Sequence, residues 1–322
     1  MPNRMKLTVS HAPFWHDGSS LNTKYYNIIA ATLIAVIAGL LQFGIPALAV
    51  LTLSVGSAMA WELAMNLVMR RPVTIGDGNA ALIGLLFAML MPAVVPWWVV
   101  VTGTLIAVVI GKQIYGGIGG NPFNPVVVAY AILLISWPIY LNFNAALVDY
   151  SFDFKAAYPL MLYKSVGPGA LDSFSIPDLL LGRQTGGIGT TFGLGLIIGG
   201  IYLIARGFIR WEIPAAFLVS MFITAMCFSL YDPEVYAGPG FHILTGYTLI
   251  GAFFLAPEDS SSPVNFVPML IYGALGGFLT VLIRNIGAHV DGVIYAILIM
   301  NLVHPIIQKI RPKAMGRIMH HA

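Results

Sequence analysis

Near the middle of the chain, Gly182-Arg183-Gln184-Thr185-Gly186-Gly187-Ile188-Gly189-Thr190-Thr191 gathers glycines, a fixed cation and hydroxyls just ahead of an apolar run. Glycines let backbone amides approach a ligand closely, and the first turn of a helix offers unpaired N–H groups with a partial positive charge. Arg183, Gly186, Gly187, Gly189, Thr190 and Thr191 are therefore candidates for seating a phosphate. The same residues read equally well as an interhelical turn capped by Thr190, because Gly and Thr favour helix starts for local reasons. A second string, Gly116-Gly117-Ile118-Gly119-Gly120-Asn121-Pro122-Phe123-Asn124-Pro125, opens another apolar run. Its prolines suit a first helical turn, which Asn121 or Asn124 can cap. Three acids stand out beside them. Glu62 lies within an apolar stretch, and Glu258 and Asp259 follow one, next to Ser260, Ser261 and Ser262. Ionisable groups at membrane depth are functional candidates by default, so Glu62, Glu258 and Asp259 are candidates for an ion pathway. Glu62 can also simply pair with a basic neighbour, and Glu258-Asp259 can be a solvated turn.

The elements that carry these residues are built for lipid. Hydrophobic residues make up 58% of the chain and charged residues 9%, with a mean hydropathy of +0.85. Soluble domains run near about 25% charged, so the composition excludes a water-compatible surface. Apolar stretches of helix-spanning length recur without the two-residue alternation of an outer-membrane barrel. The expectation is an all-α integral membrane protein with ten spans, at 27–44, 46–69, 79–95, 97–116, 124–141, 190–206, 212–231, 239–256, 265–284 and 290–308. The polar start of the chain does not read as a cleavable signal peptide. The single cysteine, Cys227, allows neither a disulfide nor a thiolate cluster from this chain alone. No basic patch interleaved with aromatics points to nucleic acid.

A repeat organises the spans. Ile45-Pro46-Ala47, Leu82-Ile83-Gly84 and Tyr130-Ala131-Ile132-Leu133 recur in order as Ile213-Pro214-Ala215, Leu249-Ile250-Gly251 and Tyr295-Ala296-Ile297-Leu298, offset by 165–168 residues. Five spans per half is odd, so the second half enters the membrane from the opposite side, giving two inverted five-helix repeats. The organisation expected is a cytoplasmic N-terminal segment 1–26, repeat 1 at 27–141, an outer-face loop 142–189, repeat 2 at 190–308 and a basic cytoplasmic tail 309–322. Placing both ends in the cytoplasm leaves only Lys155, Lys164, Arg183 and Arg284 of the sixteen Lys and Arg outside. The outer loop, which carries Asp149, Asp153, Asp172 and Asp178, far exceeds an ordinary connection and so reads as functional.

Taken together, Gly119-Gly120-Asn121-Pro122-Phe123-Asn124-Pro125, Asp77-Gly78 ahead of 81–86, Gly186-Gly187-Ile188-Gly189, and Asp291-Gly292-Val293 ahead of Leu298, Met300 and Asn301 closely resemble the D subunit of the Rnf complex. That family is related to the B subunit of sodium-translocating NADH:quinone oxidoreductase. The resemblance covers nearly the whole chain. It implies a membrane subunit of a bacterial or archaeal inner-membrane ferredoxin:NAD+ oxidoreductase, coupling electron flow to Na+ or H+ movement and working with other Rnf-type subunits, including membrane subunits and an outer-face flavoprotein. It also implies FMN on the outer face, commonly joined to a threonine through a phosphoester, and allows a second flavin such as riboflavin within the helices. Asn121 and Asn124 enter the cofactor-binding set on that footing.

The chain departs from the family at the attachment point. Where the usual string reads Ser-Gly-Ala-Thr-Pro-Leu, the match is Lys155-Ala156-Ala157-Tyr158-Pro159-Leu160. Tyr158 stands where the modified threonine would be, and a phenol differs from a secondary alcohol in reach and acidity. The expectation is noncovalent FMN using the Gly186–Thr191 seat, with flavin moved to another hydroxyl, or no outer flavin, as the alternatives. Two other readings stay open: a solute channel or transporter, since inverted repeats build those too, and a flavin-free structural subunit.

Overall fold

The computed structural model describes residues 20–147, 150–154, 156–169 and 174–310. The first nineteen residues, the tail from Arg311, and Asp149, Lys155 and Asp172 of the long loop lie outside the described residues. Among the described residues the chain is entirely helical, in thirteen α-helices.

The first helix, α1 (Leu21–Val68), has 48 residues, about 70 Å at 1.5 Å per residue and twice the thickness of a bilayer core. It cannot be one straight span. It breaks at Gly44, whose φ of 69° and ψ of −148° only glycine adopts readily, and Pro46, without an N–H, begins the second half. The two expected spans 27–44 and 46–69 fall on either side of that break. After a 3₁₀ turn at Ile75–Asp77 comes α2 (Asn79–Leu90), nearly all of it buried. It stops well short of the expected residue 95, because Pro92 and Pro96 cannot continue it and Met91 is already extended. The next helix, α3 (Trp97–Leu105), runs on through a π turn at Ile106–Ile110. Then α4 (Pro125–Ser136) follows the glycine-rich string.

Three short helices, α5 (Phe143–Ala146), α6 (Pro159–Val166) and α7 (Ile176–Leu180), make up the long loop. The second half comprises α8 (Gly193–Ala205), α9 (Glu212–Tyr231), α10 (Pro239–Leu244), α11 (Thr248–Ile250) with a π turn at Gly251–Leu255, α12 (Phe266–Asn285) and α13 (Val293–Ile307). The single span expected at 239–256 is therefore two pieces, parted at Thr245–Tyr247 where Gly246 turns with φ of 67°.

Among the described residues, four helical stretches are long and apolar enough to cross a membrane: Leu21–Val68, Trp97–Tyr115, Glu212–Tyr231 and Phe266–Asn285. Many large apolar side chains on them face outward, among them Leu41, Ile45, Val219, Phe222, Ile223 and Leu230. In water that surface would be prohibitive; in lipid it is the solvent-facing side. The protein is a multi-pass membrane protein.

The extended chain after α2 sits in the core, where every carbonyl needs a partner. Ile188 N donates to Met91 O at 2.9 Å, Gly189 N donates to Met89 O at 3.0 Å, and the Tyr130 hydroxyl donates to Leu90 O at 3.1 Å. The segment 186–191 thus mends a helix broken nearly a hundred residues earlier. The approach tolerates no side chain: a methyl on Gly187 would lie 2.6 Å from Met89 O.

Candidate functional site

The glycine-rich string and the acid pair, 137 positions apart, meet in one cavity of about 70 Å³ lined by Lys24, Asn79, Lys112, Asn121, Asn124, Glu258 and Asp259 among others. Asn124 is the N-cap of α4. Its Oδ1 accepts from Val126 N at 2.9 Å and Val127 N at 3.3 Å, while its Nδ2 donates to Leu255 O at 2.9 Å, at the end of the second π turn. The Asn124 amide in turn donates to Asn301 Oδ1 at 3.0 Å, and Asn301 Nδ2 donates to the Tyr272 hydroxyl at 2.7 Å. Both halves of the chain are tied at this point.

Asn121 Nδ2 donates to Glu258 Oε1 at 3.2 Å, and Glu258 Oε2 accepts from Ser261 N at 2.9 Å and Ser261 Oγ at 2.6 Å. Burial pushes the Glu258 carboxyl above the usual glutamate range despite these donors. Burial likewise raises Asp77, whose Oδ1 caps Asn79 N at 2.7 Å. Asp259 is exposed and pairs with Lys24.

Beside this cavity lies a vestibule of about 210 Å³ lined by Glu62, Asn66, Arg71, Thr74, Lys112 and Gln113 with the loop 116–118. Lys112 lines both spaces. Its Nζ donates to Glu62 Oε1 and Oε2, each at 2.9 Å, and both side chains are buried. Glu62 also accepts from Thr74 Oγ1 at 2.7 Å. Lys112 and Arg284, which weigh as loop charges in a sequence-level orientation count, are here fully buried partners in ion pairs.

At the other end of the bundle a cavity of about 280 Å³ is lined by Asn142, Phe143, Tyr158, Tyr247, His289, Asp291 and Tyr295, among others. Tyr158 is buried, its ring 4.7 Å from that of Phe143 and its hydroxyl without a hydrogen-bond partner. Burial first, and then the Asp291 charge, push that phenol well above its ordinary value. Asp291 caps α13 through Val293 N at 3.1 Å, accepts from Tyr247 N at 2.7 Å, and binds Arg284 at 2.9 Å.

The string 182–191 is placed differently. Arg183 is exposed and pairs with Asp178 at 3.1 Å, whereas 184–191 are buried. The amides of Ile188, Gly189 and Thr190 already donate to Met91 O, Met89 O and Gly187 O, and Thr191 Oγ1 donates to Gln42 Oε1 at 3.1 Å. Sequence reasoning did not single out Lys112, Arg284, Tyr247 or Asn301 as site residues. Lys112 and Arg284 occupy similar places ahead of α4 and α13, and that correspondence was the signal available.

Cavities at both ends of a helical bundle, each setting a few polar and charged side chains among apolar walls, together with the outward apolar surface define a multi-pass membrane protein. The family model described as the NQR2, RnfD, RnfE family matches residues 8–316, and the chain belongs to that family. It is 36% identical over 309 residues to the D subunit of the Na+-translocating ferredoxin:NAD+ oxidoreductase complex of Acetobacterium woodii, covering 95% of this chain and 94% of that protein. It is 32% identical over 349 residues to the D subunit of the ion-translocating oxidoreductase complex of Pectobacterium carotovorum, and equally so to that of Escherichia coli K12, covering 97% of this chain and 99% of each relative.

Proposed function

We propose that this chain is a flavin-carrying membrane subunit of an Rnf-type ferredoxin:NAD+ oxidoreductase, which passes electrons within the complex and couples them to Na+ or H+ transport. The observation that carries the reading is the family match along almost the entire chain, from residue 8 to 316. The halves are read as two inverted five-helix repeats with both ends in the cytoplasm. On that orientation the Lys112 cavity and the Glu62 vestibule face inward and the Tyr158 cavity faces outward.

The outer cavity is the favoured flavin seat. At about 280 Å³ it lies near the lower end of small-molecule pockets, its walls are aromatic, and the buried Tyr158 hydroxyl lacks a partner that a ring acceptor can supply. A bound flavin supplies electron-transfer chemistry, while Phe143, Tyr158, Tyr247 and Tyr295 would hold its ring and Asp291 would set the local charge. The buried phenol favours noncovalent binding. The loop 186–191 is not the favoured seat, since its Ile188 and Gly189 amides are engaged with Met91 O and Met89 O. For a second flavin, Asn121 and Asn124 line the inner cavity, the Asn121 Nδ2 being already engaged by Phe123 O and Glu258 Oε1.

The test is a flavin assay on the purified complex. Denaturation releases flavin, the denatured chain shows no ultraviolet fluorescence on a gel, and Tyr158→Ala lowers flavin retention in assembled complexes. A colourless chain that moves a solute on its own refutes the reading in favour of a transporter.

A further inference from the structure

Among the described residues each half buries one cation, Lys112 or Arg284, at a similar place, but they are held differently. Arg284 Nη1 donates to His242 O at 2.6 Å, and Nη2 donates to Thr245 O at 3.2 Å, Thr248 Oγ1 at 3.0 Å and Asp291 Oδ1 at 2.9 Å. A planar guanidinium gripped by two carbonyls, a hydroxyl and a carboxylate is fixed. Lys112 donates only to the two oxygens of Glu62. Its ammonium is a point charge on a four-carbon stem, free to turn about that stem once an equivalent charge takes its place.

Two side-chain oxygens of Glu62 and one of Thr74 come together at the vestibule. Thr74 Oγ1 lies 2.7 Å from Glu62 Oε1, Asn66 Nδ2 donates to Thr74 Oγ1 at 3.0 Å, and turning the Asn66 amide over would present its carbonyl oxygen to the vestibule it lines. Carboxylate, hydroxyl and amide oxygens suit a hard cation. The vestibule brings Glu62, Asn66 and Thr74 to one open space, and Lys112 forms the wall between that space and the inner cavity.

We propose that Glu62, Thr74 and Asn66 form a Na+ seat whose resident counter-ion is the Lys112 ammonium, and that Na+ entering through the vestibule displaces Lys112 into the neighbouring cavity. Exchange of one monovalent cation for another keeps Glu62 paired throughout, avoiding the uncompensated buried charge that makes broken ion pairs costly. The displaced ammonium meets Glu258 across the inner cavity, and its charge already acts on Asp77. Filling the seat therefore moves one positive charge into the inner cavity. By reciprocity, negative charge arriving in that cavity draws Lys112 inward and opens the seat to Na+. This inference rests on the ion-coupling reading above and names the residues that would perform it.

The experiment measures carbodiimide modification of Glu62 in the purified complex, by peptide mass, across a Na+ titration at constant ionic strength with choline as the balancing ion. Na+ slows modification and choline does not. In Lys112→Met the half-protecting Na+ concentration falls about tenfold, the shift expected when a competitor worth about 1.4 kcal/mol is removed. Thr74→Val, which takes away one oxygen donor and leaves the ion pair in place, raises it by a similar factor and decides the matter if Lys112→Met does not assemble. Glu62 modification that ignores Na+ in the wild type, or a Thr74→Val titration that coincides with it, overturns the seat. The readout needs neither flavin nor electron flow. A flavin-free complex with Na+-protected Glu62 therefore refutes the redox reading alone, and a flavin-loaded complex with Na+-insensitive Glu62 refutes the seat alone.

Discussion

Asn124 is a single side chain whose removal unties three things at once, and its effect can be worked from the hydrogen bonds. In Asn124→Ala, Val126 N and Val127 N lose the cap oxygen, a loss worth about 1 kcal/mol for an Asn N-cap. Leu255 O loses its donor inside the bundle, leaving a buried carbonyl unsatisfied at a cost of about 1–3 kcal/mol. The sum is about 2–4 kcal/mol, with a floor near about 1 kcal/mol because side-chain hydrogen bonds within membranes average about 0.6 kcal/mol. Asn124→Ser keeps a capping oxygen but has no reach to Leu255, so it recovers the cap's share of about 1 kcal/mol and not the rest. Reversible unfolding of the detergent-solubilised chain in mixed micelles measures both variants against wild type. An Asn124→Ala variant within about 0.5 kcal/mol of wild type would mean that the cap and the cross-tie are geometrically present and energetically idle.

Two further outcomes follow from the ion pairs and buried acids. Lys112→Met alone strands Glu62 and destabilises the chain by about 3–5 kcal/mol, whereas the double variant Glu62→Gln/Lys112→Met lies much closer to wild type; a simple sum of the two single effects would refute the pairing. The Glu258 carboxyl is raised in the folded chain by burial, so the folded state binds more protons than the unfolded state just above the ordinary glutamate pKa. Stability contributed there is present on the acid side and declines as pH rises through the folded value. Asp77, raised by burial as well, acts with the same sign. Melting followed from about pH 5 to 7 shows the decline, and Glu258→Gln flattens it; an unchanged slope in that variant would refute the assignment.

Much of this could be read from residue order, and the limits have physical causes. Composition and span length were enough to identify helices in lipid, and Gly44-Ile45-Pro46 marked the break in α1 because glycine and proline punctuate a helix locally. The glycine-rich string opened α4 as expected, with Asn124 as its cap. Apolar character could not reveal where α2 ends or that 239–256 is divided, since a buried extended segment is as hydrophobic as the helix it interrupts. Nor could it reveal that Lys112 and Arg284 turn inward. A basic residue at the end of an apolar run looks like a loop anchor until the acid that receives it is placed beside it, and Glu62 and Lys112 are 50 positions apart.

The repair of the broken α2 by residues 186–191 has a consequence for how the chain is made. While the ribosome is still translating the long loop ahead of α8, the first half of the chain lies in the bilayer with Met89 and Met91 carbonyls that have no donors of their own. Their partners, Ile188 and Gly189, are roughly a hundred residues downstream, about 5–20 s of synthesis at common rates. During that interval the half-made protein needs water, a translocon wall or another subunit against its open side. Insertion of this subunit is therefore timed as well as templated, and a pause or truncation between Met91 and Ile188 would leave a species suited to quality-control recognition.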